Sequence, residues 1–188
     1  MTAYGYGKQH LEQDDIDAVV ETLKSPYLTC GPKVKEFEDA ICAYTGAKYC
    51  VAVNSATSGL HIAMMAAGIG AGDEAITTPI TFLASANCAR YCGADVVFAD
   101  IDSKTANIDP EEIKKHVSDK TRVIVPVHFA GQSCDMEKIS AVAKETEKKN
   151  KKSDEDENNL EKSVSIDFDE VSNEMEKYLY EEEMNNYQ

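Results

Sequence analysis

The 188-residue sequence has no tryptophan, only five prolines, and aromatic residues at just 7%. It also has no apolar run near the roughly 20 residues needed to span a bilayer, and its start has no signal-peptide pattern. A cytoplasmic location is therefore the default expectation. Basic residues are scarce: 19 Lys and Arg stand against 34 Asp and Glu, for a net charge of −15. Nucleic-acid binding needs cationic side chains against phosphates, so this balance excludes it as the main role. The six cysteines (30, 42, 50, 88, 92 and 134) are scattered through apolar or small-residue contexts. Cys88 and Cys92 are four apart on one helical face, but no further ligands stand at metal-binding spacing, so buried reduced thiols are expected and no metal.

What is present is a 43% apolar chain, enough to bury the core of one ordinary domain. The charge is uneven. Residues 146–188 hold 14 acids and 6 bases, while residues 1–145 hold 20 and 13. The tail therefore carries over half of the net charge in under a quarter of the length. From "TEKKNKKSDEDENN" onward the composition predicts a charged, largely disordered tail. Within it Phe168, Val171, Met175, Tyr178 and Leu179 are spaced for one short amphipathic helix over 167–182.

Residues 1–145 read as alternating units. "LEQDDIDAVVETLK" (11–24) and "KVKEFEDAICAYTG" (33–46) have helical apolar spacing, with Gly46 suited to a helix end. "KYCVAV" (48–53) reads as a buried strand and "SATSGLHIAMMAAGI" (55–69) as a helix. Strands follow at 74–78, 94–101 and 121–129, separated by "TFLASANCARYCG" and "DPEEIKKHV" as helices, with Asp109 as N-cap and Pro110 at the first turn. "CDMEKISAVAKE" closes the series as a helix, with Asp135 as its cap. Alternating apolar strands and helices predict an α/β fold with a mainly parallel sheet.

The stretch "NSATSG" (54–59) places small, hydroxyl-bearing residues where a helix follows a strand. Free backbone N–H groups and the positive end of the helix dipole suit a phosphate there, although Ser55 acting as an ordinary N-cap explains the local chemistry too.

Together, "LTCGP", "VNSATSGLHIA", "GDEAITTPITFLASANCARYCGA" and "DID…NIDP" resemble the N-terminal part of the DegT/DnrJ family of sugar-nucleotide aminotransferases, over about residues 3–145. The similarity is greatest to the pseudaminic acid branch. The resemblance implies the large domain of a fold-type-I aminotransferase that uses pyridoxal 5'-phosphate, works as a homodimer, and moves an amino group from a donor to the 4-keto carbon of a UDP-deoxysugar. It implies cofactor contacts by Ser55, Ala56, Thr57, Phe82 and Gln132, with Phe82 stacked on the pyridine ring. It also implies nucleotide-sugar contacts by Tyr27, Thr29 and Gly31 in "YLTCGP". His128 and His61 read as structural histidines.

The family's later motifs do not occur in this sequence. Neither the "EDAAHA"-like strand, whose Asp pairs with the pyridine nitrogen, nor the cofactor-bonding lysine is present. The tail lysines at 148, 149, 151, 152, 162 and 177 sit in polar contexts unsuited to a nucleophile. The expectation is an incomplete large domain, inactive alone. The alternatives are a non-catalytic binding protein or a non-functional fragment. In the family the large sheet has seven strands. By resemblance three of the four strands here would be neighbours, and the strand at 48–53 would lack its flanking partners.

Overall fold

A computed structural model describes residues 10–156, with side-chain surroundings through residue 147. The chain divides into two compact units, Met1–Ala52 and Val53–Gln188.

The first unit contains α1 (Gln13–Lys24) and α2 (Pro32–Thr45). The Glu12 amide donates to the Asp15 carboxylate at 2.9 Å, and this closes the first turn of α1. Pro32 occupies the first position of α2, and Gly46 ends it at φ 78°, the left-handed conformation that glycine adopts without a Cβ clash. The apolar stripes expected on these helices exist, but they are not buried. Leu11, Ile16, Val19, Leu23 and Phe37 are all exposed.

The second unit holds α3 (Ala56–Ala66), β1 (Glu74–Thr77), α4 (Ala84–Tyr91), β2 (Asp95–Phe98), α5 (Pro110–His116), β3 (Thr121–Val125), a short 3-10 turn (Phe129–Gly131) and α6 (Met136–Asp156). The three strands form one parallel sheet in the order β2-β1-β3. Adjacent residues of each strand face opposite ways, so the sheet has a core on each side. Ala75, Val123 and Val125 pack with Met64, Ile69, Cys88 and Ala89 from α3, α4 and their connections. Ile76, with Val97 and Ile124 against it, packs with Ile108, Ile113, Ile139 and Val142 toward α5 and α6. The α/β expectation holds, and the predicted caps form. Asp109 accepts from the Glu111 amide at 2.9 Å, and Asp135 accepts from the Lys138 amide at 3.1 Å.

Two expectations are corrected. Residues 48–53 form no strand and join no described sheet. A lone apolar run has no ladder to enter, and its backbone polar groups find other partners. The Ala52 amide donates to the Glu38 carboxylate at 2.8 Å instead. The second correction is at the start of the tail. α6 runs to Asp156, so residues 146–156, read as a disordered linker, continue the helix. Their Lys and Glu content favours helix as well as solvation. The helix expected over 167–182 lies outside the described residues.

Burial distinguishes the helices energetically. Ile113 has no exposed surface, while Phe37 is 56% exposed. Ile113→Ala should cost about 2–5 kcal/mol through lost burial and a cavity, and Phe37→Ala about 0.5 kcal/mol or less, as read from urea midpoints. A second expectation concerns Asp102. Its carboxylate accepts from the amides of Lys104 and Thr105 at 2.8 and 3.0 Å, which lowers its pKa. A lowered folded pKa adds stability above the ordinary aspartate range, and that stability is lost as pH falls below about 4. Asp102→Asn should therefore flatten the acid limb of a stability-against-pH curve. An unchanged acid limb would show that these bonds do not favour the charged carboxylate.

Candidate functional site

The site begins at α3. Ser55 is the N-cap, and its hydroxyl accepts from the Ser58 amide at 3.2 Å. The Ser58 hydroxyl in turn donates to Asn54 Oδ1 at 2.7 Å. The cap thus satisfies the third helical amide, and the Gly59 amide bonds to the Ser55 carbonyl at 3.1 Å. The amides of Ala56 and Thr57 meet no acceptor among the described residues. Two free N–H groups at the positive end of an 11-residue helix remain directed outward.

These residues border a cavity of about 420 Å³. Ala56, Thr57 and Leu60 supply one wall. Thr81, Phe82, Ala84 and Ser85, which follow β1 and open α4, supply a second. Val127 to Ala130, which follow β3, supply the third. Both contributing strands deliver their C-terminal ends to the cavity, the usual ligand position in parallel α/β sheets. The volume is that of a small-molecule site.

The walls are apolar with a few hydroxyls. The Thr81 and Ser85 hydroxyls are hydrogen-bonded at 2.9 Å. Phe82 is 77% exposed at the rim. A protein gains nothing from an exposed ring in water, whereas a flat ligand ring stacked on it would cover apolar surface. The lining contains no Lys, Arg, Asp or Glu. Burial pushes the thiols of Cys88 and Cys134 up, which disfavours their thiolate forms.

This arrangement fits part of pyridoxal 5'-phosphate. The two free amides and the Thr57 side chain suit its phosphate, and Phe82 suits its ring. The lining offers no lysine to bond covalently to the cofactor and no carboxylate to pair with its pyridine nitrogen.

Of the residues predicted from sequence, Ala56, Thr57 and Phe82 come together at the cavity. Ser55 does not line it, and its hydroxyl is spent on capping. Gln132 also lies off the lining: it is exposed, and its backbone carbonyl accepts from Asn107 at 3.1 Å. Tyr27, Thr29 and Gly31 belong to the other unit, in the loop between α1 and α2. There the Ser25 hydroxyl donates to the Tyr27 carbonyl at 3.0 Å. A Cβ on Gly31 would sit 2.7 Å from that same carbonyl oxygen, so the close approach itself requires glycine. Sequence reasoning missed Thr81 and Ser85, whose i,i+4 spacing was the available signal, and it missed Asn107 within "NIDP".

A profile of the DegT/DnrJ/EryC1/StrS aminotransferase family matches residues 9–149. The spore coat polysaccharide biosynthesis protein SpsC of Bacillus subtilis is 51% identical over 138 residues, which cover 73% of this chain and 36% of that protein. A Streptococcus pneumoniae protein described as a sugar aminotransferase, Spr1654, solved in its PLP-form, has a TM-score of 0.72 at 34% identity over 74% of this chain and 36% of that one. Helicobacter pylori PseC, an aminotransferase involved in the biosynthesis of pseudoaminic acid, has a TM-score of 0.70 at 34% identity over 77% and 39%. The chain spans about a third of the length of the curated relatives it matches. No described helix is long and apolar enough to cross a membrane. The identity, the matched span and the shared fold agree, and the chain belongs to the DegT/DnrJ/EryC1/StrS aminotransferase family.

Proposed function

We propose that this polypeptide forms the phosphate- and ring-binding part of a pyridoxal 5'-phosphate-dependent sugar-nucleotide aminotransferase. The observation that carries the reading is the cavity beside α3, where the unpaired amides of Ala56 and Thr57 and the exposed Phe82 ring converge on one space. The amides and the Thr57 hydroxyl hold the phosphate, and Phe82 holds the pyridine ring flat. When bound, the cofactor supplies an electron sink for moving an amino group. The chain's own residues bind and orient it. A covalent lysine and a carboxylate for the pyridine nitrogen come from polypeptide outside this sequence, so the chain alone binds without turnover.

The substrate proposed is a UDP-linked 4-keto deoxysugar with an amino-acid donor, as in the pseudaminic acid branch. Support comes from the likeness to PseC and from the polysaccharide role of SpsC. Tyr27, Thr29 and Gly31 would meet the nucleotide-sugar, and the complete enzyme would be a cytoplasmic homodimer.

The test is direct. Ala56→Asp puts an anion at the first helical position, where it favours the helix but repels a phosphate. Unfolding midpoints should hold or rise, while pyridoxal 5'-phosphate affinity by equilibrium dialysis falls at least about ten-fold, roughly 1.4 kcal/mol. Pyridoxal without the phosphate should bind weakly to both proteins. Equal binding of the cofactor to wild type and variant would place the phosphate elsewhere. Borohydride treatment should label no single lysine, and one uniquely labelled lysine would overturn the non-catalytic reading.

A further inference from the structure

Asn107 is 4% exposed, yet its side chain has every main bonding group occupied. Its Nδ2 donates to the carbonyls of Gln132 and Ser133, both at 3.1 Å, and its Oδ1 accepts from the Phe129 amide at 2.9 Å. These three bonds reach across 22 to 26 residues. They clamp both ends of the turn that follows β3. The turn does not sit in a relaxed conformation. Ala130 has φ 52°, a left-handed value that costs a residue with a Cβ, and Gly131 follows at φ 83°. The clamp holds that shape against its strain.

The folded turn brings the Cys134 amide to His128 Nδ1 at 3.0 Å. A backbone amide can only donate, so Nδ1 accepts and carries no proton. In a neutral imidazole the proton then lies on Nε2. The Nε2 atom has no partner among the described residues, and His128 lines the cavity. On the same cavity, Ala56 and Thr57 offer donors from the α3 side.

We propose that Asn107 is a positioning residue that fixes His128 as an Nε2–H donor toward the cavity. His128 then recognises an oxygen acceptor of the occupant, an anionic or hydroxyl oxygen, and does not serve as a proton-accepting base. The clamp acts through the turn, and Asn107 itself touches no ligand. The tautomer and the clamp stand on this chain's own bonds. Only the choice of pyridoxal 5'-phosphate as probe rests on the proposed function.

Nitrogen-15 NMR of the full chain in mildly alkaline buffer tests this, with the His128 signal assigned by its loss in His128→Gln. The expected result is a single Nε2–H tautomer and a slowly exchanging Cys134 amide. An Nδ1–H tautomer, averaging between tautomers, or rapid exchange at Cys134 would overturn the proposal without any variant. In Asn107→Ala, with folding verified by continued protection of the buried Cys88 thiol, His128 should average between tautomers. A retained Nε2–H signal there would remove Asn107 from the role. Where Asn107→Ala fails to fold, the wild-type tautomer and Cys134 exchange decide. Added pyridoxal 5'-phosphate should shift the His128 Nε2–H resonance. Binding by dialysis with no such shift overturns the donor role and leaves the proposed function standing. Failure of the cofactor to bind sinks the proposed function, and the tautomer and exchange data still decide the clamp.

Discussion

Everything in the second unit hangs on the double burial of β1. A parallel strand in the middle of a sheet needs hydrogen-bond partners on both edges and apolar cover on both faces. β1 has both. It is paired to β2 and β3, Ala75 and Ile76 are buried toward opposite cores, and Thr77 turns its hydroxyl to the Val125 carbonyl at 2.9 Å. That last bond satisfies a polar group with no exposed surface and ties β1 to β3 near their C-terminal ends. Because the two ends are held in step, the segments that follow them emerge side by side. The cavity lies where those segments meet the start of α3.

The site is consequently a product of strand ends and one helix start rather than of a dedicated motif. Small residues at 56 and 57 leave the helix amides accessible. At "NSATSG" the Ser55 hydroxyl takes the ordinary capping bond, and the next two amides stay free. On the opposite wall the backbone is held by Asn107 in a conformation that Ala130 would not choose alone. Rigid scaffolding behind a loop is the general way a fold presents polar groups to a ligand.

Much of the fold was legible because local chemistry and burial agreed. The strands around Ile76, Val97 and Val123 are short apolar runs, and they formed. Asp109, Asp135 and Gly46 stood at predicted helix ends and act there. "KYCVAV" shows the limit of such reading. Its apolar pattern equals that of a buried strand, yet strand formation needs a ladder partner, and it pairs with none of the described strands. The lysine- and glutamate-rich stretch after residue 145 fails in the opposite sense. Charge predicted disorder, and helix propensity carried α6 on to Asp156. Ala56, Thr57 and Phe82, named by motif, line the cavity. Gln132, assigned to the cofactor by resemblance, lies off the lining, with its amide donating to the Phe129 carbonyl and its own carbonyl accepting from Asn107.

The sequence by itself determined the family, the alternation of strands and helices, the helix caps and the small-residue turn at 54–59, because each is written in contiguous residues. Tertiary structure alone decided which strands pair, that the stripes of α1 and α2 stay exposed, and that Asn107 reaches residues 129, 132 and 133. The physical reason is range. Propensities and caps act over three or four residues, whereas a ladder partner or a buried amide's acceptor is fixed only when distant segments close around it.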